Sequence, residues 1–349
     1  MKVIIRADAN KNIGQGHVMR CLSLCDALKE KGHECLFICA MDTPREMIME
    51  RGYDVYALTT SYDNMDEELA LLYYIIEDEK ADLLIIDSYY VTPFYLKVVK
   101  ELIPTAYLDD VYSFAYDVDC LVNYNVYADK EKYEQMYVTE KVKTPEMIIG
   151  PAYAPLRKEF TKRNIREVKE IKNIMISVGG ADPLHLAYGF AKRISEDEFF
   201  KDKNINMILG KMEPDIDKIE SICETAGNIR YFVNIKDMKE KIEEADLVIS
   251  AAGSTQYEIC ACARPCICFS MADNQVPGGE KFGELGAFIY AGDVRDNDGF
   301  FYDVLNAVKR VAGDISLAKE MSRKASAIAD GHGAERMVKE LENIFGRQG

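Results

Sequence analysis

The segment "RADANKNIGQGHVMRCLSL" (residues 6–24) carries Gly14 and Gly16 and then His17, one of four histidines in the chain. Glycines so placed let a backbone turn sharply and come close to a ligand. Val18, Leu22, Cys25 and Leu28 follow at helical spacing, which puts His17 in the first turn of a helix. Unpaired N–H groups and the positive dipole end there disfavour an imidazolium, so the ring is expected to stay neutral and able to accept a proton. The plainer alternative is a histidine that packs or caps. A glycine turn behind a strand shifts the balance toward general-base chemistry.

Four further groups of residues lie where strands end. "VISAAGSTQYE" (248–258) closes a strand in small residues and opens a helix. The N–H groups and hydroxyls of Gly253, Ser254 and Thr255 suit a diphosphate, and Glu258, one turn on, suits ribose hydroxyls or simply solvent. "MADNQ" (271–275) offers Asn274 and Gln275 as neutral donors and acceptors, although such turns are common. "SVGGADP" (177–183) is another glycine turn and contains Gly180. "IIDSYY" (85–90) and "YLDD" (107–110) put carboxylates and tyrosines at strand ends, with Asp109 and Asp110 equally able to act as helix caps. Cys260, Cys262, Cys266 and Cys268 lack the C-x-x-C spacing of a metal site; Cys266 and Cys268 fall on one strand face and read as buried small hydrophobes.

These residues need a frame. Short apolar runs without clean alternation mark strands covered on both faces. They lie at 2–5, 35–39, 82–87, 105–110 and 120–123, and again at 173–180, 206–211, 229–233, 246–253 and 265–270. Connections of a dozen residues or more imply helical crossovers and parallel pairing. The expected fold class is therefore α/β, with two doubly wound Rossmann-like domains facing a cleft, and ligands beyond the carboxyl ends of the strands. The boundary is placed at 150: residues 1–150 carry the glycine loop, and residues 151–349 form the nucleotide-binding half. Residues 144–173 read as a linker with its first helix, and the last helix, "GAERMVKELENIFG", is expected to pack back on the N-terminal domain.

Composition bounds the partners. The formal charge of −16 argues against nucleic acid, whose binding rests on basic residues. No run approaches the roughly 18 apolar residues of a membrane helix, so no membrane insertion is expected. Ten cysteines without a signal peptide point to a reducing, cytoplasmic location. No Walker A or H-E-x-x-H pattern is present, and no metal or other cofactor is expected. The oligomeric state is left open.

In order, "RADANKNIGQGHVMRCLSL", "DSYYVT", "LDD", "NYNVYA", "GPAYAPLRKEF", "SVGGADP", "SAAGSTQYE" and "ADNQ" resemble the UDP-sugar hydrolase family of pseudaminic acid biosynthesis, which acts on UDP-2,4-diacetamido-2,4,6-trideoxy-β-L-altropyranose. The resemblance runs from residue 1 to about 275. The family is similar to the MurG glycosyltransferase and implies the two-domain GT-B fold. It implies that His17 activates water, that Tyr89 lies beside the sugar, and that Gly253, Ser254, Thr255 and Glu258 bind UDP. Asn274 and Gln275 would lie near the diphosphate and sugar. Asp8, Gly14, Gly16, Arg20 and Gly180 complete the candidate substrate-binding positions. Where the family has a histidine, this chain has Ser88. The implied reaction is loss of UDP by water attack at the anomeric carbon with inversion. Its rivals are a glycosyltransferase or a UDP-sugar 2-epimerase in surface polysaccharide synthesis, and a non-catalytic nucleotide-sugar binder.

Overall fold

The computed structural model describes residues 1–11, 13–180 and 182–346. In the first part of the chain seven strands alternate with helices: β1 (Lys2–Ala7), β2 (Glu34–Cys39), β3 (Asp54–Ala57), β4 (Leu83–Asp87), β5 (Thr105–Leu108), β6 (Cys120–Asn123) and β7 (Glu146–Ile149). They pair in parallel in the order β3-β2-β1-β4-β5-β6-β7. Six more follow: β8 (Asn173–Ser177), β9 (Asn204–Leu209), β10 (Ile229–Val233), β11 (Leu247–Ala251), β12 (Cys266–Ser270) and β13 (Phe288–Asp293). Their order is β10-β9-β8-β11-β12-β13, again parallel. Each sheet reverses its direction of winding once, at β1/β4 in the first and at β8/β11 in the second. Such a switch point leaves a crevice at the carboxyl ends of the two strands, because their following loops part to opposite faces.

The central strands have apolar middles because helices cover both faces. Val3, Ile4 and Ile5 in β1 and Leu83 to Ile86 in β4 are all fully buried. In the first domain Ile4, Ile38, Leu84 and Ile86 pack with Tyr95, Leu96 and Val99. In the second, Ile174, Ile176, Ile249 and Phe269 pack with Phe190, Phe300 and Val304. The two compact units are Met1–Lys158 together with the stretch from Gly331, and Glu159–Asp330. The helix Gly333–Phe345 therefore belongs with the first unit, where it packs on the helix Gly16–Glu30.

Ten strand positions expected from the sequence are strands, and three further strands occur. All three are sheet edges: β3, β7 and β13. Their side chains are mostly only partly buried, although each carries a short apolar run (55–58, 147–149 and 287–291) of the length seen in the expected strands. The expected linker helix within 144–173 is also absent. That segment contains β7 and then, after the short turn Lys158–Thr161, an irregular run up to β8. Arg166 holds this run extended by donating to the carbonyls of Glu243, Glu244 and Ala245, while Val168 and Ile171 are buried.

Candidate active site

His17 is the second residue of the helix Gly16–Glu30, entered from the loop after β1. Gly14 turns that loop: its φ of +75° is a left-handed conformation that side chains disfavour, and its N–H donates to the Asn10 carbonyl at 2.8 Å. No side chain caps the helix start and no acidic residue lies in its first turn. β1 and β4 are neighbours across the switch point, and Asp87 is the last residue of β4. The topology thus brings together a histidine just after one strand and a carboxylate ending the other.

The contact is direct. His17 Nδ1 lies 2.5 Å from Asp87 Oδ1, and both side chains are almost wholly buried. Arg20, one turn along the same helix, donates from Nε to Asp87 Oδ2 at 2.6 Å and from Nη2 to Oδ1 at 2.5 Å. Burial alone would raise the Asp87 carboxyl, but the Arg20 guanidinium and His17 outweigh it and hold the group well below the usual carboxylate range. Asp87 is therefore ionised and can only accept hydrogen bonds. Nδ1 of His17 must then carry the ring proton, which leaves the Nε2 lone pair as the basic site of the neutral ring. Among the described residues Nε2 has no hydrogen-bond partner.

A second carboxylate stands on the other side of Arg20. Asp110 accepts from Arg20 Nη1 at 3.0 Å and Nη2 at 2.9 Å, from Asn125 Nδ2 at 2.7 Å, and from the Tyr89 hydroxyl at 3.0 Å. Tyr89 returns to the histidine, its ring centroid 4.5 Å from that of His17 at an interplanar angle of 78°. Arg20 Nη1 also reaches the Tyr124 hydroxyl at 3.0 Å. Burial holds that phenol up at about 12, against the lowering effect of the guanidinium, so it remains protonated at neutral pH.

Asp109, the neighbour of Asp110, takes a different role. Its oxygens accept the backbone N–H of Val111 at 2.9 Å and of Tyr112 at 3.1 Å, the Tyr116 hydroxyl at 2.8 Å, and the Tyr133 hydroxyl. It builds the turn that presents Asp110. Asp8 likewise faces inward, accepting from Arg6 Nη1 at 2.5 Å and from the Ala40 N–H at 2.7 Å. Arg6 in turn holds Glu68 through two bonds of 2.6 and 2.8 Å. Arg20 and Asp8 thus direct their polar atoms at protein groups. Gly16 begins the helix with open space where a Cβ would stand. Ser88 is buried and accepts the Tyr90 N–H at 3.2 Å.

The second domain presents a sparser surface. Gly253 and Ser254 are exposed after β11, and Thr255 starts the helix Thr255–Ala261. Glu258 is half-buried in that helix. Across the switch point, the exposed Gly180 lies in the loop after β8, whose neighbour at 181 is outside the described residues. Gly180 is held by a close approach: a Cβ on Gly210 would lie 2.0 Å from its carbonyl oxygen. Asn274 is exposed in the turn Asp273–Gln275, while Gln275 Oε1 accepts the Met271 N–H at 3.0 Å and braces its own loop. Cys260, Cys262, Cys266 and Cys268 are buried free thiols. The sequence names His17, Arg20 and Tyr89 separately, offers Asp87 and Asp110 only as strand-end carboxylates or, for Asp110, a helix cap, and gives Tyr124 and Asn125 no role; the structure joins all seven. The signal for Asp87 was its place at the end of the strand that neighbours β1.

No protein-family model matches the chain. The spore coat polysaccharide biosynthesis protein SpsG of Bacillus subtilis is 23% identical over 355 residues, 99% of both chains. The UDP-2,4-diacetamido-2,4,6-trideoxy-β-L-altropyranose hydrolase of Campylobacter jejuni is 29% identical over 262 residues, which are 74% of this chain and 87% of that protein. An uncharacterized Methanocaldococcus jannaschii protein is 28% identical over 270 residues; the match takes in 74% of this chain and about half, 53%, of that protein's length. Among solved structures, Acinetobacter baumannii MurG superposes with a TM-score of 0.69 at 15% identity, covering 98% of this chain and 99% of MurG. The UDP-bound MnaA of Staphylococcus aureus gives 0.65 at 13% identity over 100% and 99%. The chain has the GT-B fold of two doubly wound α/β domains.

Proposed function

We propose that the protein is a UDP-sugar hydrolase that removes UDP from a UDP-linked 2,4-diacetamido-2,4,6-trideoxy hexose. The observation that carries this reading is the buried His17–Asp87 pair, which leaves one imidazole nitrogen as a base at the carboxyl end of β1. The C. jejuni relative, by its name a hydrolase of such a nucleotide sugar, supports the choice of reaction. His17 Nε2 takes a proton from water while the water oxygen bonds to the anomeric carbon. The C–O bond to UDP breaks with inversion, and its electron pair leaves on the diphosphate. Tyr89 lies beside the sugar. In the second domain Gly253, Ser254 and Thr255 offer N–H and hydroxyl donors to the charge growing on the diphosphate, and Glu258 takes the ribose. Asn274 and Gln275 serve the diphosphate and sugar, and Gly180 the loop beside them. Gly14 and Gly16 bring the first-domain backbone near the ligand, and Asp8 and Arg20 hold its side chains in place.

UDP is a good leaving group, so no metal is required, and full activity is expected in excess chelator. The test is incubation with a panel of UDP-amino sugars without acceptor, followed by early anomeric NMR. Hydrolysis gives free UDP and the inverted sugar. Turnover only when an acceptor alcohol is added would mean a glycosyltransferase, a product altered at C2 a 2-epimerase, and tight UDP binding without product a binding protein. His17→Leu should keep UDP affinity and lower turnover about 10²–10⁴-fold, the usual worth of a general base. Undiminished turnover in that variant removes His17 from the reaction.

A further inference from the structure

The contacts around His17 close on themselves. His17 bonds to Asp87, Asp87 to Arg20, Arg20 to Asp110, Asp110 to the Tyr89 hydroxyl, and the Tyr89 ring rests against the imidazole. Asp110 is the only member of this cycle that touches neither the imidazole nor the carboxylate bonded to it. It is nonetheless fixed with care, by the Asp109 turn, by Asn125 Nδ2 at 2.7 Å and by the Tyr127 hydroxyl, which donates to its carbonyl at 3.0 Å.

We propose that Asp110 is a positioning residue for the His17 base, acting through Arg20 and Tyr89. This inference rests on the hydrolase reading above. One guanidinium sits between two carboxylates, so the cluster carries one net negative charge while the ring is neutral. Accepting a proton makes His17 a cation and brings the cluster to neutrality. Asp110 thus supplies the second negative charge that lets a buried imidazolium form during water attack, without which Arg20 would cancel Asp87 alone. Its other arm holds Tyr89 by the hydroxyl and so fixes the ring that packs on the imidazole. Among the described residues, the charged and titratable groups bonded into the cluster around the base are Asp87 and Tyr89 from the end of β4, Arg20 and Cys21 from its own helix, Asp110 from the turn after β5, and Tyr124 from the segment after β6.

The two arms are separable. Asp110→Asn keeps the size and removes the charge; turnover should fall about 10–100-fold with KM little changed, because one nearby charge in a partly buried site is worth that much. The acid limb of the rate profile should move to lower pH, since the ring loses a stabilising negative neighbour. Tyr89→Phe keeps the ring and every charge; it should lower turnover only a few-fold and leave the acid limb in place. A purely structural Asp110 would change stability and move neither limb nor turnover at a temperature where the variant is folded. The same question is asked without substrate by ¹⁵N NMR of the imidazole, with His17 assigned by the signals missing in His17→Leu. The pH at which the ring takes its second proton should be lower in Asp110→Asn than in the wild type and unchanged in Tyr89→Phe. Coincident NMR titrations of wild type and Asp110→Asn would overturn the inference whatever the enzyme's reaction. Absence of UDP release by a wild type whose titration differs from Asp110→Asn would overturn the hydrolase reading alone.

Discussion

Behind β1 and β4, Asp87, Arg20 and Asp110 are joined through Arg20 and bond to two tyrosines; behind β8, β9 and β11, Gly253 and Ser254 stand exposed while Asp182 Oδ1 and Glu213 Oε2 are buried with no partner among the described residues. The first arrangement takes charged side chains out of water and can do so only because each is paired and hydrogen-bonded. In return the imidazole has one orientation and one tautomer. The second leaves backbone and hydroxyl groups in solvent, where a diphosphate can meet them without first breaking protein contacts. A group that must move a proton needs its direction fixed beforehand; a group that holds a phosphate needs only to be free. On the proposed function, the two domains, alike in topology, divide these requirements between them.

The comparison predicts brittleness on one side and tolerance on the other. The largest effect belongs to Asp87→Asn. The new amide can present N–H to Nδ1 and select the wrong tautomer, so turnover should drop about 10³–10⁴-fold, more than for any single change in the second domain. Breaking a buried pair typically costs about 3–5 kcal/mol, moderated here because Asp110 still faces Arg20. Denaturant unfolding and steady-state rates check both parts. An Asp87→Asn variant of native activity and stability would erase the contrast.

Next in size is a second-domain change that acts through backbone. Gly210→Ala would put a methyl group 2.0 Å from the Gly180 carbonyl oxygen, a distance no flexible side chain can relieve. Overpacking of this kind costs about 1–3 kcal/mol. The loop after β8 should shift, lowering both the unfolding midpoint and UDP affinity measured by calorimetry. Unchanged affinity would separate Gly180 from nucleotide binding.

Much of this was legible in the sequence, and the omissions have causes. Central strands announce themselves because burial on two faces demands unbroken apolar runs, as in "KVII" and "DLLIID". β3, β7 and β13 lie at sheet edges with partly buried side chains, and their short apolar runs do not by themselves mark them as strands. The glycine turn before His17 is visible because a backbone conformation restricts residue type. Asp87 and Asp110 were visible only as carboxylates at strand ends. Their roles come from a neighbour 67 or 90 positions away, Arg20, and pairing over such a span is set by strand order. Asp109 and Asp110 are adjacent and identical in type, yet one builds a turn and the other faces the site. Local sequence carries nothing to tell them apart.

Single hydroxyls in the second domain should matter less than either change above. Ser254→Ala and Thr255→Ala each remove one neutral donor, from the exposed residue before the helix and from its half-buried first residue, where a hydrogen bond is worth about 0.5–1.5 kcal/mol. Each is expected to weaken UDP binding about 2–10-fold and to leave the unfolding midpoint alone, because Ser254 makes no capping bond to its helix. A loss of stability in place of affinity would mean that these residues brace the loop and do not serve a ligand.

The smallest effect tests a buried carboxyl that is satisfied at one oxygen only. Glu213 is 7% exposed, and burial first, then the nearby Asp182 and Asp215, push its carboxyl above the usual value. Its Oε1 accepts the Asp215 N–H at 3.1 Å while Oε2 has no partner among the described residues. A group raised on folding contributes stability that is complete below its unfolded value, near about 4.3. That contribution is lost as pH rises through the folded value. Glu213→Gln cannot ionise and so escapes the loss, while keeping an acceptor for the Asp215 N–H. The melting temperatures of wild type and Glu213→Gln should lie close together in mild acid and separate in favour of the variant as pH rises. A difference of about 1 kcal/mol corresponds to roughly 2–4 °C for a domain of this size. Parallel curves across that range would mean that Glu213 ionises without cost, and that the second domain tolerates buried charge as well as the first.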